Sequence, residues 1–216
     1  MSEPIFSAAT LCVQETVDPM DTSSHTLPIY ATSSFVFDNL QQGIDIFSGA
    51  ESGYLYGRFG NPTCDAVAEK LAALESYGLS ENAHCVLVSS GMAAISAVLM
   101  ALLKPGDKIL TQADIYGGTT DFFNQILASY NIGFETADLN DVEQVENSLS
   151  NDPSIRLIYL ESPTNPILTC VDLEKLVSLA KKYNKLTVID NTFCTPVVQQ
   201  PLKWGIDYVV HSTTKY

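Results

Sequence analysis

The sequence predicts an α/β fold: a mostly parallel central sheet with helices on both faces, preceded by an irregular N-terminal arm. Three observations lead there. From residue 85 onward, short runs rich in Ile, Val and Leu alternate with helical stretches. Those runs are apolar throughout rather than at every second residue, as strands buried on both faces are. The residues before position 62 carry many Ser, Thr, Gly and aromatic residues and show weak periodicity.

Taken in order, the stretch 51–63 (ESGYLYGRFGNPT) reads as irregular backbone, and a helical pattern resumes over 65–77. A long structureless stretch beside a folded domain is usually functional or a contact arm. Strands are expected at 85–88, 108–111, 132–136, 157–160, 186–189 and 208–210, and helices at 92–103, 119–129, 142–149 and 173–183. In the last helix Leu173, Leu176, Val177 and Ala180 fall on one face. Lys104-Pro105-Gly106-Asp107 is a stop and turn. Strand–helix alternation of this kind needs both sheet faces covered. The division expected is an arm over 1–62, contacting a neighbouring subunit, and a large domain over 63–216. The last residue follows a strand almost at once, so the large domain is expected to be incomplete and a C-terminal domain to be absent.

Composition narrows the function. The chain of 216 residues is 46% hydrophobic, and its net charge is −14, from 25 acids against 11 bases. A nucleic-acid groove needs clustered Lys and Arg, and none is present. The longest apolar run, 92–103, is too short for a membrane span, which needs about 20 residues. No basic-then-apolar leader opens the chain, so a cytoplasmic location is expected. Cys12, Cys64, Cys85, Cys170 and Cys194 lack C-x-x-C spacing, and His25, His84 and His211 are scattered. Neither a disulfide framework nor a metal site is expected.

The chemistry gathers at predicted strand ends. Ser89-Ser90-Gly91-Met92 follows a strand and opens a helix, offering free N–H groups and a positive helix end to a phosphate. A plain Ser N-cap is the competing reading. Asp190 follows the strand 186–189 directly, at the sheet edge where α/β folds bind ligands. There it either caps a turn or faces a cationic heterocycle nitrogen. Lys215, within His211-Ser212-Thr213-Thr214-Lys215-Tyr216, follows a further strand. A lone strand-end lysine is ordinarily a solvated cation. Placed in a cleft it can attack an aldehyde, and Ser212 and Thr214 add hydroxyl donors for a phosphate. Tyr116, ahead of Gly117-Gly118, could stack on a flat ring. Asn165 could donate to a ring oxygen. A core tyrosine and a turn asparagine are the competing readings for these two.

Six segments together resemble the Cys/Met-metabolism family of pyridoxal-phosphate enzymes. They are YGRFGNPT (56–63), SSGMAAI (89–95), DIYGGT (114–119), ESPTNP (161–166), VIDNTF (188–193) and HSTTKY (211–216). They occur in the family's order, from the arm to the last residue. The resemblance implies the large domain of the fold type I, or pyridoxal-phosphate-dependent transferase-like, architecture, with pyridoxal 5′-phosphate as cofactor. It implies that Lys215 holds the cofactor as a Schiff base and later moves protons. Asp190 would pair with the pyridinium nitrogen, Tyr116 stack on the ring and Asn165 hydrogen-bond its hydroxyl oxygen. The N–H groups of Gly91 and Met92, with Ser212 and Thr214, would hold the phosphate. Tyr56 and Arg58 would reach a neighbouring subunit's phosphate, implying a homodimer that pairs into a homotetramer. Tyr56 or Tyr116 would help protonate a leaving group.

The reaction so implied is γ-replacement or elimination on sulfur amino acids or O-acylhomoserine, of the cystathionine γ-synthase or γ-lyase kind. Methionine γ-lyase and cystathionine β-lyase are the alternatives. Methionine γ-lyases tend to have Cys where this chain has Gly118, which tilts the reading toward a homoserine-derived substrate. Two readings of other classes stand beside it. One is a non-catalytic nucleotide-binding α/β module, although G-x-G-x-x-G and G-x-x-x-x-G-K-[ST] are both missing. The other is an inactive truncated fragment.

Overall fold

Residues 6–13, 20 and 23–216 are described by a computed structural model. They divide into two units, one up to Leu87 and one from Val88 to Tyr216.

Among its described residues the first unit holds three helices: α1 (Ala8–Val13), α2 (Leu40–Ser48) and α3 (Pro62–Glu75). The last begins three residues earlier than expected. Asn61 sits in extended backbone and its side chain accepts the Thr63 N–H at 3.0 Å, while Pro62 takes the first helical position. An Asn cap followed by Pro is a start signal, because the N–H that proline lacks would have had no partner there. The same Asn61 donates to the Tyr30 carbonyl at 2.9 Å, and Thr63 donates to that of Pro28 at 3.0 Å. The stretch between α2 and α3 is irregular apart from one antiparallel bridge, Ser34 to Tyr56.

The second unit is the predicted α/β fold. It runs α4 (Gly91–Leu102), β1 (Lys108–Thr111), α5 (Gly117–Asp121), β2 (Gly133–Thr136), α6 (Val142–Asn151), β3 (Ile155–Glu161), α7 (Leu173–Lys182), β4 (Leu186–Asp190), α8 (Thr195–Val198) and β5 (Tyr208–Val210). The strand order is β2-β1-β3-β4-β5, and every pairing is parallel. One expectation is corrected: residues 85–88 form no strand. Val86 is 82% exposed. A strand exists only where a neighbour takes its N–H and C=O groups, and an apolar run does not reveal whether one does. The helix expected over 119–129 starts at Gly117 and changes character, with a π-helical turn over Phe122–Leu127 and a 3₁₀ turn over Ala128–Tyr130.

Two apolar layers sandwich the sheet. On one face Leu110, Ile158, Leu160 and Ile189 pack with Val145 and Leu149 of α6 and with the Leu173–Leu176–Val177–Ala180 stripe of α7. On the other Ile109, Leu157, Tyr159 and Val188 pack with Ile95 and Leu99 of α4 and with Phe123 and Leu127. Each fully buried side chain of this size contributes about 1.5–3 kcal/mol. The layers fix the register, which sets Glu161 at the end of β3 opposite Asp190 at the end of β4.

Candidate active site

The C-terminal strand ends and the start of α4 surround a cavity of about 280 Å³. Gly91, Met92, Tyr116, Asn165, Asp190, Ser212, Thr214 and Lys215 all line it. These are the eight candidate residues that lie in the second unit. Crevices outside the carboxyl ends of parallel strands are where α/β sheets bind ligands.

The wall at α4 is built by Ser90. Its backbone is extended and its hydroxyl accepts the Ala93 N–H at 3.0 Å. The N–H groups of Gly91 and Met92 come ahead of the first intrahelical bonds and so lack carbonyl partners within the helix. A Cβ on Gly91 would stand 2.6 Å from Cβ of Ser212, so no side chain fits between the two segments.

Asp190 and the Lys215 segment are joined through Thr192. The Thr192 N–H donates to Asp190 Oδ1 at 3.0 Å, and Thr192 Oγ1 accepts the Ser212 N–H at 2.8 Å. Asn191, fully buried, anchors this loop by donating to the Gln199 carbonyl at 2.9 Å. Lys215 closes a 3₁₀ turn, and its Nζ donates to Thr214 Oγ1 at 2.9 Å and to Ser212 Oγ at 3.2 Å. Its side chain is exposed, and it is the one base among the lining residues.

The opposite wall depends on Glu161. Its Oε1 accepts the Tyr116 N–H at 2.8 Å and its Oε2 accepts the Asn165 N–H at 3.4 Å. Burial pushes this carboxyl up to about 7, with the nearby charges of Asp190 and Asp114 adding to the effect and the two N–H donors opposing it. Burial, with Asp190 and Glu161, also pushes the Tyr159 hydroxyl well above its ordinary value. The Tyr116 ring lies against Gly118, where a Cβ would stand 2.6 Å from Cε1 of the ring.

Glu161, Thr192 and Phe193 also line the cavity, although sequence reasoning assigned them no part. The signal for Glu161 was its place at the strand end, one strand over from Asp190.

Tyr56 and Arg58 belong to the first unit. Tyr56 is 44% exposed. The Arg58 guanidinium carbon lies 5.5 Å from the Tyr56 ring centre and 5.3 Å from that of Phe59, a cation–π arrangement. Tyr54 nearby is pushed up to about 12 by burial and by Asp65.

Comparison with known proteins places these residues in context. Residues 9–216 match the family described as Cys/Met metabolism PLP-dependent enzyme. An L-methionine gamma-lyase of Fusobacterium nucleatum subsp. nucleatum is 44% identical over 191 residues, which is 88% of this chain and 47% of that protein. The crystal structure of cystathionine gamma synthase from Xanthomonas oryzae pv. oryzae, in complex with aminoacrylate and cysteine, superposes with a TM-score of 0.83. Its identity is 38%, over 98% of this chain and 51% of that one. A structure assigned as an O-acetylhomoserine (thiol)-lyase from Campylobacter jejuni gives a TM-score of 0.84 at 34% identity, covering 97% of this chain and 50% of that one. That protein carries N′-pyridoxyl-lysine-5′-monophosphate. The chain spans about half the length of the curated relatives it first matches.

Proposed function

The chain belongs to the Cys/Met-metabolism family of PLP-dependent enzymes, and from that premise we propose that the cavity of the second unit is its pyridoxal 5′-phosphate site. The whole protein then performs γ-replacement or elimination on sulfur amino acids or O-acylhomoserine. The observation that carries this is one cavity lined by an amine, a carboxylate and the N-terminus of a 12-residue helix.

The residues present fit the cofactor. The Gly91–Ser212 approach, too close for any side chain on Gly91, brings the start of α4 beside the Ser212 hydroxyl. Helix N–H groups and the Ser212 and Thr214 hydroxyls are the donor set an anion needs. Asp190 supplies a carboxylate for the ring nitrogen, Tyr116 an aromatic face and Asn165 an amide for the ring hydroxyl. Lys215 is the amine that would hold the cofactor. When bound, pyridoxal phosphate supplies an electron-accepting ring that takes charge from the substrate's α-carbon.

The chain's own groups do the rest. Lys215 Nζ, when not bonded, would be a base for the substrate's α-proton. The Thr214 and Ser212 hydroxyls hold that nitrogen in place. Tyr116 or Tyr56 carries a phenolic proton for the departing γ-substituent. Tyr56 and Arg58 serve a neighbouring subunit's phosphate, making a homodimer the least active unit and a homotetramer its usual assembly. A cytoplasmic location suits amino-acid chemistry of this kind.

Gly118 supports a homoserine-derived substrate. A Cys here would force the Tyr116 ring to move, because even its Cβ stands 2.6 Å from Cε1. The 44% identity to an L-methionine gamma-lyase favours methionine γ-elimination as the second reading.

Borohydride reduction of the whole protein with pyridoxal phosphate, followed by peptide mapping, tests the site. Label on the peptide bearing Lys215 is expected, and label on another lysine overturns the assignment. Release of ammonia and a 2-oxo acid from L-methionine, set against thiol capture with an O-acylhomoserine, separates the two substrates.

A further inference from the structure

Glu161 is 4% exposed, and its hydrogen bonds all go to backbone groups or to Gln112. Its own backbone is clamped in both directions by Gln112, itself 5% exposed. Gln112 Nε2 donates to the Glu161 carbonyl at 2.8 Å, and the Glu161 N–H donates to Gln112 Oε1 at 3.3 Å. The side chain therefore leaves the end of β3 from a fixed base. Its two oxygens diverge to two turns, one reached after β1 and one after β3, and each turn presents one lining residue of the cavity.

We propose that Glu161 is a positioning residue that ties the Tyr116 and Asn165 turns to the end of β3, so that the two ring contacts are held as one unit. The proposal rests on the reading of this cavity as the pyridoxal phosphate site. A carboxylate is the one side chain that can do this. Both its oxygens accept, whereas an amide of the same shape accepts at one end and donates at the other.

The surroundings argue against a role in stability. The ionisable groups facing Glu161 are Asp190 from β4, Asp114 from the turn after β1, and Tyr159 from β3 itself. Thr164 Oγ1 holds Asp114 by donating to its Oδ2 at 2.9 Å. Lys215, the base among the lining residues, bonds to Thr214 and Ser212. A buried carboxyl among acids, raised from 4.5 to about 7, favours the fold while neutral. That contribution is present below pH 4.5 and is lost as pH rises through 7. At pH 8 the ionised group works against the fold. A group that costs stability yet accepts from two cavity turns is the pattern of a functional residue.

Glu161→Gln in the whole protein separates the alternatives, because it keeps the shape and removes one acceptor. First, borohydride capture on Lys215 is measured in the unaltered protein. Failure there sinks the cofactor site and this inference with it. With capture intact, the variant is expected to raise the Kd for pyridoxal 5′-phosphate about tenfold, the loss of one charge-assisted bond. It is also expected to weaken the visible circular dichroism per bound cofactor, which reads ring placement. At pH 8 the variant without cofactor should melt at or above the temperature of the unaltered protein. An unchanged Kd and dichroism would overturn the role of Glu161 alone. So would a melting temperature that falls in step with cofactor binding, since that is what a purely structural group would do.

Discussion

The two units use similar side chains in opposite ways. In the second, Leu99, Ile109, Ile158 and Leu160 are fully buried between sheet and helices; in the first, Val36 is 99%, Ile29 85% and Phe47 76% exposed. Their cavities differ in size and make-up. The second unit's cavity, about 280 Å³, gathers polar groups from five separate segments. The first unit's, about 920 Å³, mixes Phe35, Ile46, Phe47 and Phe59 with Gln42, Glu51 and Asp65. Apolar surface that a unit does not bury itself is surface available for contact. The second unit thus buries its apolar side chains against itself, and the first leaves several of its own open. That supports the proposed homodimer.

Two truncations sharpen the contrast most. Leu176→Ala removes a side chain that is 1% exposed, and should cost about 2–5 kcal/mol in chemical denaturation. Phe47→Ala should change the stability of the dissociated chain by no more than about 0.5 kcal/mol, while weakening self-association in sedimentation. Equal stability losses for the two would break the distinction.

A smaller effect is expected at Arg58. Arg58→Ala should weaken cofactor retention by about tenfold, as loss of one charge-assisted phosphate contact does. Mixing it with Lys215→Ala should restore activity, because one site of each mixed dimer is then intact. No rescue would confine Arg58 to its own subunit.

The smallest effect belongs to Asp152, which pairs with Lys108 at 2.6 Å. The hydrogen bonds from Lys108 and Ser154 hold its carboxyl at about 2, below the ordinary 3.8. Its stabilisation is present above pH 3.8 and is lost as pH falls through 2. Lys108 is 43% exposed, so solvent screening limits Asp152→Asn to about 1 kcal/mol or less at pH 7. Urea melts at pH 7 and pH 2 should differ less in the variant than in the unaltered protein.

What was legible in the sequence follows the same division. Strands such as β3 and β4 announce themselves because burial on both faces demands unbroken apolar runs. Asp190 stood out because a charge directly after such a run is uncommon, and Lys215 because it sits among the hydroxyls of Ser212 and Thr214 a few residues past another run. Residues 85–88 misled because pairing is a property of two segments, and one segment's composition cannot report it. The start of α3 was missed although Asn61-Pro62 encodes it. Glu161 stayed hidden because its partners, the N–H groups of Tyr116 and Asn165, are backbone atoms, which carry no residue identity. In the first unit little was legible, since hydrogen bonds such as Asn61 to Tyr30 substitute for periodic packing.

The close approach of Gly91 to Ser212 has a consequence for biosynthesis. The two stand more than a hundred positions apart, and the lysine comes later still. A chain emerging from the ribosome therefore cannot close this contact until Ser212 is translated, long after α4 has been made, so the start of that helix waits uncovered for most of the sheet to follow.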